Sequence, residues 1–309
     1  MVENGRSSTV TLEWPTRAAT PAFFAERPPG EIGLAVFLNA GDPPLDVLRD
    51  VVQMLDHRGV NCLELAVPFP NSVTDGPVIR RSARRALDLG VELDDVLAFV
   101  HDVHSKLKHL RIALLADWSY SVKPTPLPDF LTRVRDSGAH GLLIHALPPK
   151  LRQSYHVVAE RAGMPIVTTC YASSASEVQA EAAHHASAYL YLVAHYGRTG
   201  AAPALDYRGL SGAILALRAV TEAPIAVGFG VSARAHIDAL RHAGADAAIV
   251  GSAGVSRVEC ALAEGRDVVE ELHAFVDDLR LPHRRVTAGT SKEKPWVGSF
   301  HLCQRGVHR

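Results

Sequence analysis

Two carboxylates in one short stretch of this chain have the types and spacing to do acid–base chemistry. The segment Leu63-Glu64-Leu65-Ala66-Val67-Pro68-Phe69 sets Glu64 inside an apolar run. A charge there is costly unless it is paired or used. A structural pairing needs an interior Arg or Lys on a neighbouring strand candidate, and none carries one. A carboxyl in an apolar mouth has a raised pKa, which suits a group that must both give and take a proton. Asp75 follows eleven residues later in Asn71-Ser72-Val73-Thr74-Asp75-Gly76-Pro77. Alone it reads as the cap of a helix opening at Gly76-Pro77. Paired with Glu64 across one loop, it reads as the second catalytic carboxylate.

The elements around this pair repeat regularly. From residue 33, short apolar runs at 33–38, 62–67, 112–116, 141–146, 166–170, 189–193, 225–227 and 247–250 alternate with segments of helical period. Continuous apolar strands between amphipathic helices indicate a parallel sheet covered on both faces. Eight repeats in about 250 residues favour a closed (β/α)8 TIM barrel over an open sheet. The open alternative would carry a GxGxxG after its first strand, but Asn39-Ala40-Gly41-Asp42-Pro43 stands there. Helices are expected over 45–55, 130–134, 236–242 and 268–279, with two in succession, 78–89 and 93–107, after the second strand. The expected organisation is an N-terminal arm over 1–30 with a short helix near 22–26, a barrel over 31–280, and a basic tail over 281–309. The tail carries Arg284, Arg285, Lys292, Lys294, Arg305 and Arg309 against a single Glu293. It reads as disordered, or as packing Trp296 and Phe300 on the barrel, or as contacting a partner.

In such a barrel the chemistry sits where strands end. Strand seven ends in Gly228-Phe229-Gly230-Val231-Ser232 and strand eight in Gly251-Ser252-Ala253-Gly254. Glycine-rich ends on these consecutive strands form a phosphate cradle of backbone N–H groups and a helix N-terminus. Loop six, His195-Tyr196-Gly197-Arg198-Thr199-Gly200, reads as a mobile lid or an ordinary turn.

Bulk properties narrow the class. The net charge of −1 gives no general attraction to nucleic acid or an acidic membrane. No apolar run approaches the roughly 20 residues that span a bilayer, and the N-terminus lacks a signal pattern, so a cytoplasmic protein is expected. The four cysteines form no CxxC pair and the sixteen histidines no HExxH, so no metal is expected. Cys62 and Cys170 read as reduced and buried.

These residues together resemble the tryptophan synthase α subunit family. The resemblance rests on the Glu64 and Asp75 motifs, Gly41-Asp42-Pro43, Gly197-Arg198-Thr199-Gly200, Gly228-Phe229-Gly230-Val231-Ser232 and Gly251-Ser252-Ala253, in order over about residues 30–280. It implies cofactor-free retro-aldol cleavage of indole-3-glycerol phosphate to indole and glyceraldehyde 3-phosphate. By resemblance, Glu64 protonates the indole C3, and Asp75 binds the indole N–H and stabilises the ring cation. Thr199 and Gly200 match the lid, whose threonine orients the aspartate. Phe37 and Tyr191 match pocket positions, and Gly230, Gly251 and Ser252 match phosphate ligands. The departures cluster. Pro70-Asn71-Ser72 replaces the usual Ser-Asp-Pro on the face that meets the β subunit. Asp117 and Ser119 replace a Tyr and an Asn after strand three. His145-Ala146 replaces Ala-Asp after strand four, and His195 replaces the lid Arg that pairs with that Asp. A contact between His145 and His195 is one expected replacement. The pattern points to a stand-alone indole-3-glycerol phosphate lyase. The alternatives are an α subunit dependent on a tryptophan synthase β subunit, a lyase for a substituted indole, with Asp117, His145 and Thr169 at the mouth, and a non-catalytic regulatory partner.

Overall fold

The structure, a computed structural model, describes residues 23–27, 29–194, 209–228 and 230–280. Eight parallel strands form the barrel: β1 (Gly33–Asn39), β2 (Cys62–Ala66), β3 (Arg111–Asp117), β4 (Gly141–His145), β5 (Val167–Tyr171), β6 (Tyr189–Val193), β7 (Ile225–Gly228) and β8 (Ala247–Val250). Their order is β4-β3-β2-β1-β8-β7-β6-β5. The seam between β4 and β5 closes through a parallel bridge, Leu142 to Ile166, with Leu142 N–H donating to the Pro165 carbonyl at 2.9 Å.

The pleat divides each strand between two cores. Leu34, Val36, Leu38, Leu63, Leu65, Ile112, Leu114, Leu190, Leu192, Ile225 and Val227 face outward into the helical layer. Ala35, Cys62, Ala113, Leu143, Val167, Tyr189, Ala226 and Ala247 fill the barrel interior. Both faces are therefore dry, and this is why the strands read as unbroken apolar runs.

The helices are α1 (Leu45–His57), α2 (Pro77–Asp88), α3 (Leu93–His104), α4 (Leu127–Asp136), α5 (Arg152–Ala162), α6 (Ser176–His185), α7 (Leu210–Arg218), α8 (Arg234–Ala243), α9 (Ser252–Glu264) and α10 (Val268–Arg280). The expected pair after strand two is α2 and α3. The latter stops at His104 rather than 107. Buried Asp56 fastens α1 to the entry of β3, accepting from the N–H groups of Lys108, His109 and Leu110 at 2.7–3.2 Å. Burial opposes its ionisation, but these three donors outweigh burial and hold its carboxyl below the usual value. Among the described residues, no helix is long and apolar enough to cross a membrane.

One expectation needs correction. Residues 23–27 form a turn and bend, not the short helix expected near 22–26. Phe23 and Phe24 are buried and belong to the barrel interior. Their rings lie 5.3 and 5.4 Å from that of Tyr189. A Cβ on Gly33 would stand 2.5 Å from the Phe24 ring, so this strand start must be glycine for the plug to seat. Two adjacent phenylalanines in a polar stretch have no period, so their destination is not visible locally. The tail over 281–309 and residues 1–22 lie outside the described residues.

Removing one plug ring tests this arrangement. Phe24→Ala should destabilise the protein by about 3–5 kcal/mol, measured as a fall in the urea midpoint.

Candidate active site

The C-terminal strand ends open into a cavity of about 380 Å³, lined among others by Phe37, Glu64, Phe69, Asp75, His145 and Tyr191. This is the end of the barrel where loops supply chemistry.

Glu64 is central in β2 and only 1% exposed. The Tyr189 hydroxyl donates to its Oε1 at 2.6 Å. β2 and β6 stand four strands apart in the ring of eight, so this bond crosses the barrel. Burial raises the Glu64 pKa from 4.5 to about 7, although the Tyr189 hydrogen bond favours the charged form and limits the rise. Cys62 lies one inward position below and is also bonded to Tyr189. Burial, and next the Glu64 charge, push its thiol well up. It and Cys170 are free and buried.

Asp75 lines the same cavity. It does not cap α2. The N-cap is Gly76, without a side-chain cap, and Pro77 opens the helix. The Asp75 N–H instead donates to Ser72 Oγ at 3.3 Å. Helix α2, which continues this loop, is clamped. Arg85 donates to both oxygens of buried Asp42 at 2.8 and 2.7 Å and to Glu259 at 2.8 Å, and Arg81 donates to both Glu259 oxygens at 2.7 Å. The hydrogen bond from Arg81 is the largest of several interactions holding the Glu259 carboxyl below its usual value.

Phe37 and Tyr191 both line the cavity. A Cβ on Gly228 would stand 2.6 Å from the Tyr191 hydroxyl. Gly228 thus makes room for that ring, a packing reason that the Gly-x-Gly pattern hid. Burial, then Glu64 and Asp75, raise the Tyr191 pKa, so its hydroxyl stays protonated. Gly230, two residues beyond β7, has φ of 80°. Gly251 lines the cavity and is the N-cap of α9, and Ser252 is the first residue of that helix. β7 and β8 are paired neighbours, so these positions share one side of the mouth. Thr199, Gly200 and His195 lie outside the described residues, as does Phe229.

The departures after strands three and four have a specific arrangement. His145 Nδ1 is 3.0 Å from Asp117 Oδ2, and Nε2 is 3.0 Å from Thr74 Oγ1. Both ring nitrogens are engaged in these contacts, and the expected His145–His195 contact lies outside the described residues. Asp117 is buried beneath His145 and does not line the cavity, whereas Thr169 does. Sequence reasoning missed Tyr189 and Thr74. Tyr189 had a usable signal, being a hydroxyl on an inward strand position that needs a partner. Among the described residues, no group of three or more His, Cys, Asp or Glu side chains is placed to hold a metal ion.

Comparison with known proteins agrees with this architecture. The family model described as tryptophan synthase alpha chain matches residues 23–282. The tryptophan synthase alpha chain of Synechocystis sp. is 35% identical over 268 residues, covering 85% of this chain and 98% of that protein. That of Synechococcus elongatus is 34% identical over 261 residues, covering 84% and 97%. Among solved structures, the tryptophan synthase A-subunit of Pyrococcus furiosus superposes with a TM-score of 0.70 at 27% identity, covering 80% of this chain and 97% of that one. Subunit alpha from Legionella pneumophila gives 0.72 at 25% identity, covering 81% and 91%.

The raised Glu64 pKa has a consequence for stability. Below about pH 4.3 the carboxyl is protonated in folded and unfolded chains alike. As pH rises toward 7 the unfolded chain ionises first, so folded stability is lost, and the loss levels off above 7. Glu64→Gln has no such loss. It should be more stable than the wild type by on the order of 3 kcal/mol above about pH 8 and indistinguishable near pH 4, as read from urea midpoints across that range.

Proposed function

We propose that this chain, which belongs to the tryptophan synthase alpha chain family, is a stand-alone indole-3-glycerol phosphate lyase that releases free indole. The family is one of carbon–carbon lyases that cleave indole-3-glycerol phosphate to indole and glyceraldehyde 3-phosphate. The observation that carries the lyase chemistry is a buried carboxyl, Glu64, facing the same cavity as a second carboxylate, with burial pushing its pKa up to about 7.

The chemistry needs one group that changes protonation and one that does not. Glu64 gives its proton to the indole C3, which leaves a cationic indoleninium ring. Asp75 accepts a hydrogen bond from the ring N–H and offsets that charge where it develops. Glu64, now anionic, takes the proton of the hydroxyl on the carbon attached to C3. The bond between that carbon and C3 breaks, its electron pair returns to the ring, and the carbon becomes the aldehyde of the product. The carboxyl gives one proton to C3, where it stays in the indole product, and takes another from the hydroxyl, so it ends as it began and a single group with a pKa near neutrality serves both steps. Tyr189 holds Glu64 in place without competing, because its own pKa is raised by burial and by Glu64. Gly230, Gly251 and Ser252 supply the phosphate cradle. Backbone N–H groups and the N-terminus of α9 meet the anion there.

Independence from a β subunit is supported by the altered partner-face residues Pro70, Asn71 and Ser72 and by Ala146, which stands where the family has an aspartate. An obligate α subunit is the second reading. Val73, 77% exposed, and Tyr120, 52% exposed, favour it as apolar groups at the mouth that a partner would cover.

Steady-state indole release by the purified chain alone decides between them. Robust turnover is expected. Negligible turnover alone with strong activation by an added β subunit would overturn the stand-alone reading. Glu64→Gln should lower kcat by about 10²–10⁴-fold with little change in KM, because only transition-state proton transfer is lost. Since the protonated acid starts the reaction, wild-type kcat should fall as pH rises through about 7. Replacing Gly230 by a bulkier residue should instead raise KM, because a side chain at its φ of 80° strains the backbone that approaches the phosphate.

A further inference from the structure

We infer that Asp117 and His145 are positioning residues that hold the Asp75 segment in place from within this chain. The inference rests on the lyase reading and deepens it, by naming what fixes the loop carboxylate without a partner subunit.

A fixed anion stabilises a developing cation only if it is already in place when the charge appears. Asp75 sits on a segment, residues 67–76, that contains no helix or strand, and Asn71, Val73 and Thr74 on it are exposed. Its backbone therefore needs an anchor elsewhere. A directed line of hydrogen bonds supplies one. The Asp75 N–H donates to Ser72 Oγ at 3.3 Å. Ser72 Oγ lies 3.4 Å from Thr74 Oγ1. Thr74 Oγ1 lies 3.0 Å from His145 Nε2, and His145 Nδ1 lies 3.0 Å from Asp117 Oδ2.

The charge at the far end sets the direction. An ionised carboxylate only accepts, so Nδ1 carries the imidazole proton. In the neutral ring Nε2 then accepts, Thr74 donates to it, and Ser72 donates to Thr74. Every donor points the same way, an arrangement in which each bond strengthens the next.

The anchor itself is rigid. Asp117 is buried, and its Oδ1 accepts from Ser119 N–H at 2.8 Å and Tyr120 N–H at 3.2 Å. The His145 ring stacks on Phe69 at 5.6 Å, and Phe69 stacks on Tyr120 at 5.9 Å, so loop and barrel rim also meet through apolar faces. Ala146, next to His145, holds φ of 54°, and Asn71 in the loop holds 60°. Asparagine adopts left-handed backbone readily, but an alanine is kept there only where its surroundings over-determine it, and Ala146 puts that mark on the His145 side of the bridge.

The test pairs amide hydrogen exchange of residues 72–76, measured without substrate, with indole-release kinetics. His145→Ala and Thr74→Val should speed exchange in that segment. They should lower kcat on the order of ten- to a hundred-fold while KM stays within about two-fold. Thr74→Ser restores the hydroxyl and should recover most of the kcat lost in Thr74→Val. Asp117→Asn keeps Oδ1 and can donate to the ring, so the line survives with the other tautomer. It should recover most of what Asp117→Ala loses. Unchanged exchange in His145→Ala would overturn the inference. So would an Asp117→Asn loss as deep as that of Asp117→Ala, since the imidazole's protonation state and not the loop's position would then matter. If the wild type releases no indole even with an added β subunit, the lyase reading falls, while the exchange data still decide whether this anchor holds the loop.

Discussion

A carboxyl buried inside a barrel sets the terms for everything around it. Among the described residues, the Tyr189 hydroxyl donates to Glu64 from the opposite wall. A tyrosine can span that distance only if the strands between present little. Several of the inward positions around the ring are small, among them Ala35, Ala113, Ala226 and Ala247. Water must also be kept out from below, because a wet carboxyl would return to an ordinary pKa. Phe23 and Phe24 do this by packing on the Tyr189 ring at the N-terminal end. Plug, tyrosine and carboxyl form one stack, and the chemistry at one end of the barrel depends on a turn at the other.

The second carboxylate obeys a different constraint. Asp75 sits half-buried at the mouth, on a loop. A loop residue gains precision only from what ties the loop down. One end is tied through α2, which Arg85 and Arg81 clamp to Asp42 and Glu259. The other is tied through Thr74 and His145 to Asp117. The first clamp explains why a Gly-Asp-Pro turn after β1 belongs with a loop after β2. Asp42 is buried and committed to Arg85 of α2.

The eight strands were legible to within two residues because each is buried on both faces, so composition alone marks it. Glu64 was legible for the same reason, as a charge in a run that tolerates none. Glycine was legible only in part. Gly230 and Gly251 read as cradle residues, yet Gly228 from the same pattern serves the Tyr191 ring. A glycine's lack of a side chain is visible in sequence, but the neighbour that needs the space is not.

Local physical chemistry in the sequence therefore determined the barrel and marked the two carboxylates that the structure places on one cavity. Period and composition report burial, and burial is what makes a lone Glu informative. Tertiary structure alone decided the partners. Tyr189 meets Glu64 only after the sheet closes and brings opposite strands face to face. His145 reads as a lost aspartate neighbour until β3, β4 and the loop after β2 converge on it. Phe23 and Phe24 read as part of a polar arm until the barrel offers them a floor. Contacts between residues distant in sequence depend on closure and register, and neither is written in any single segment.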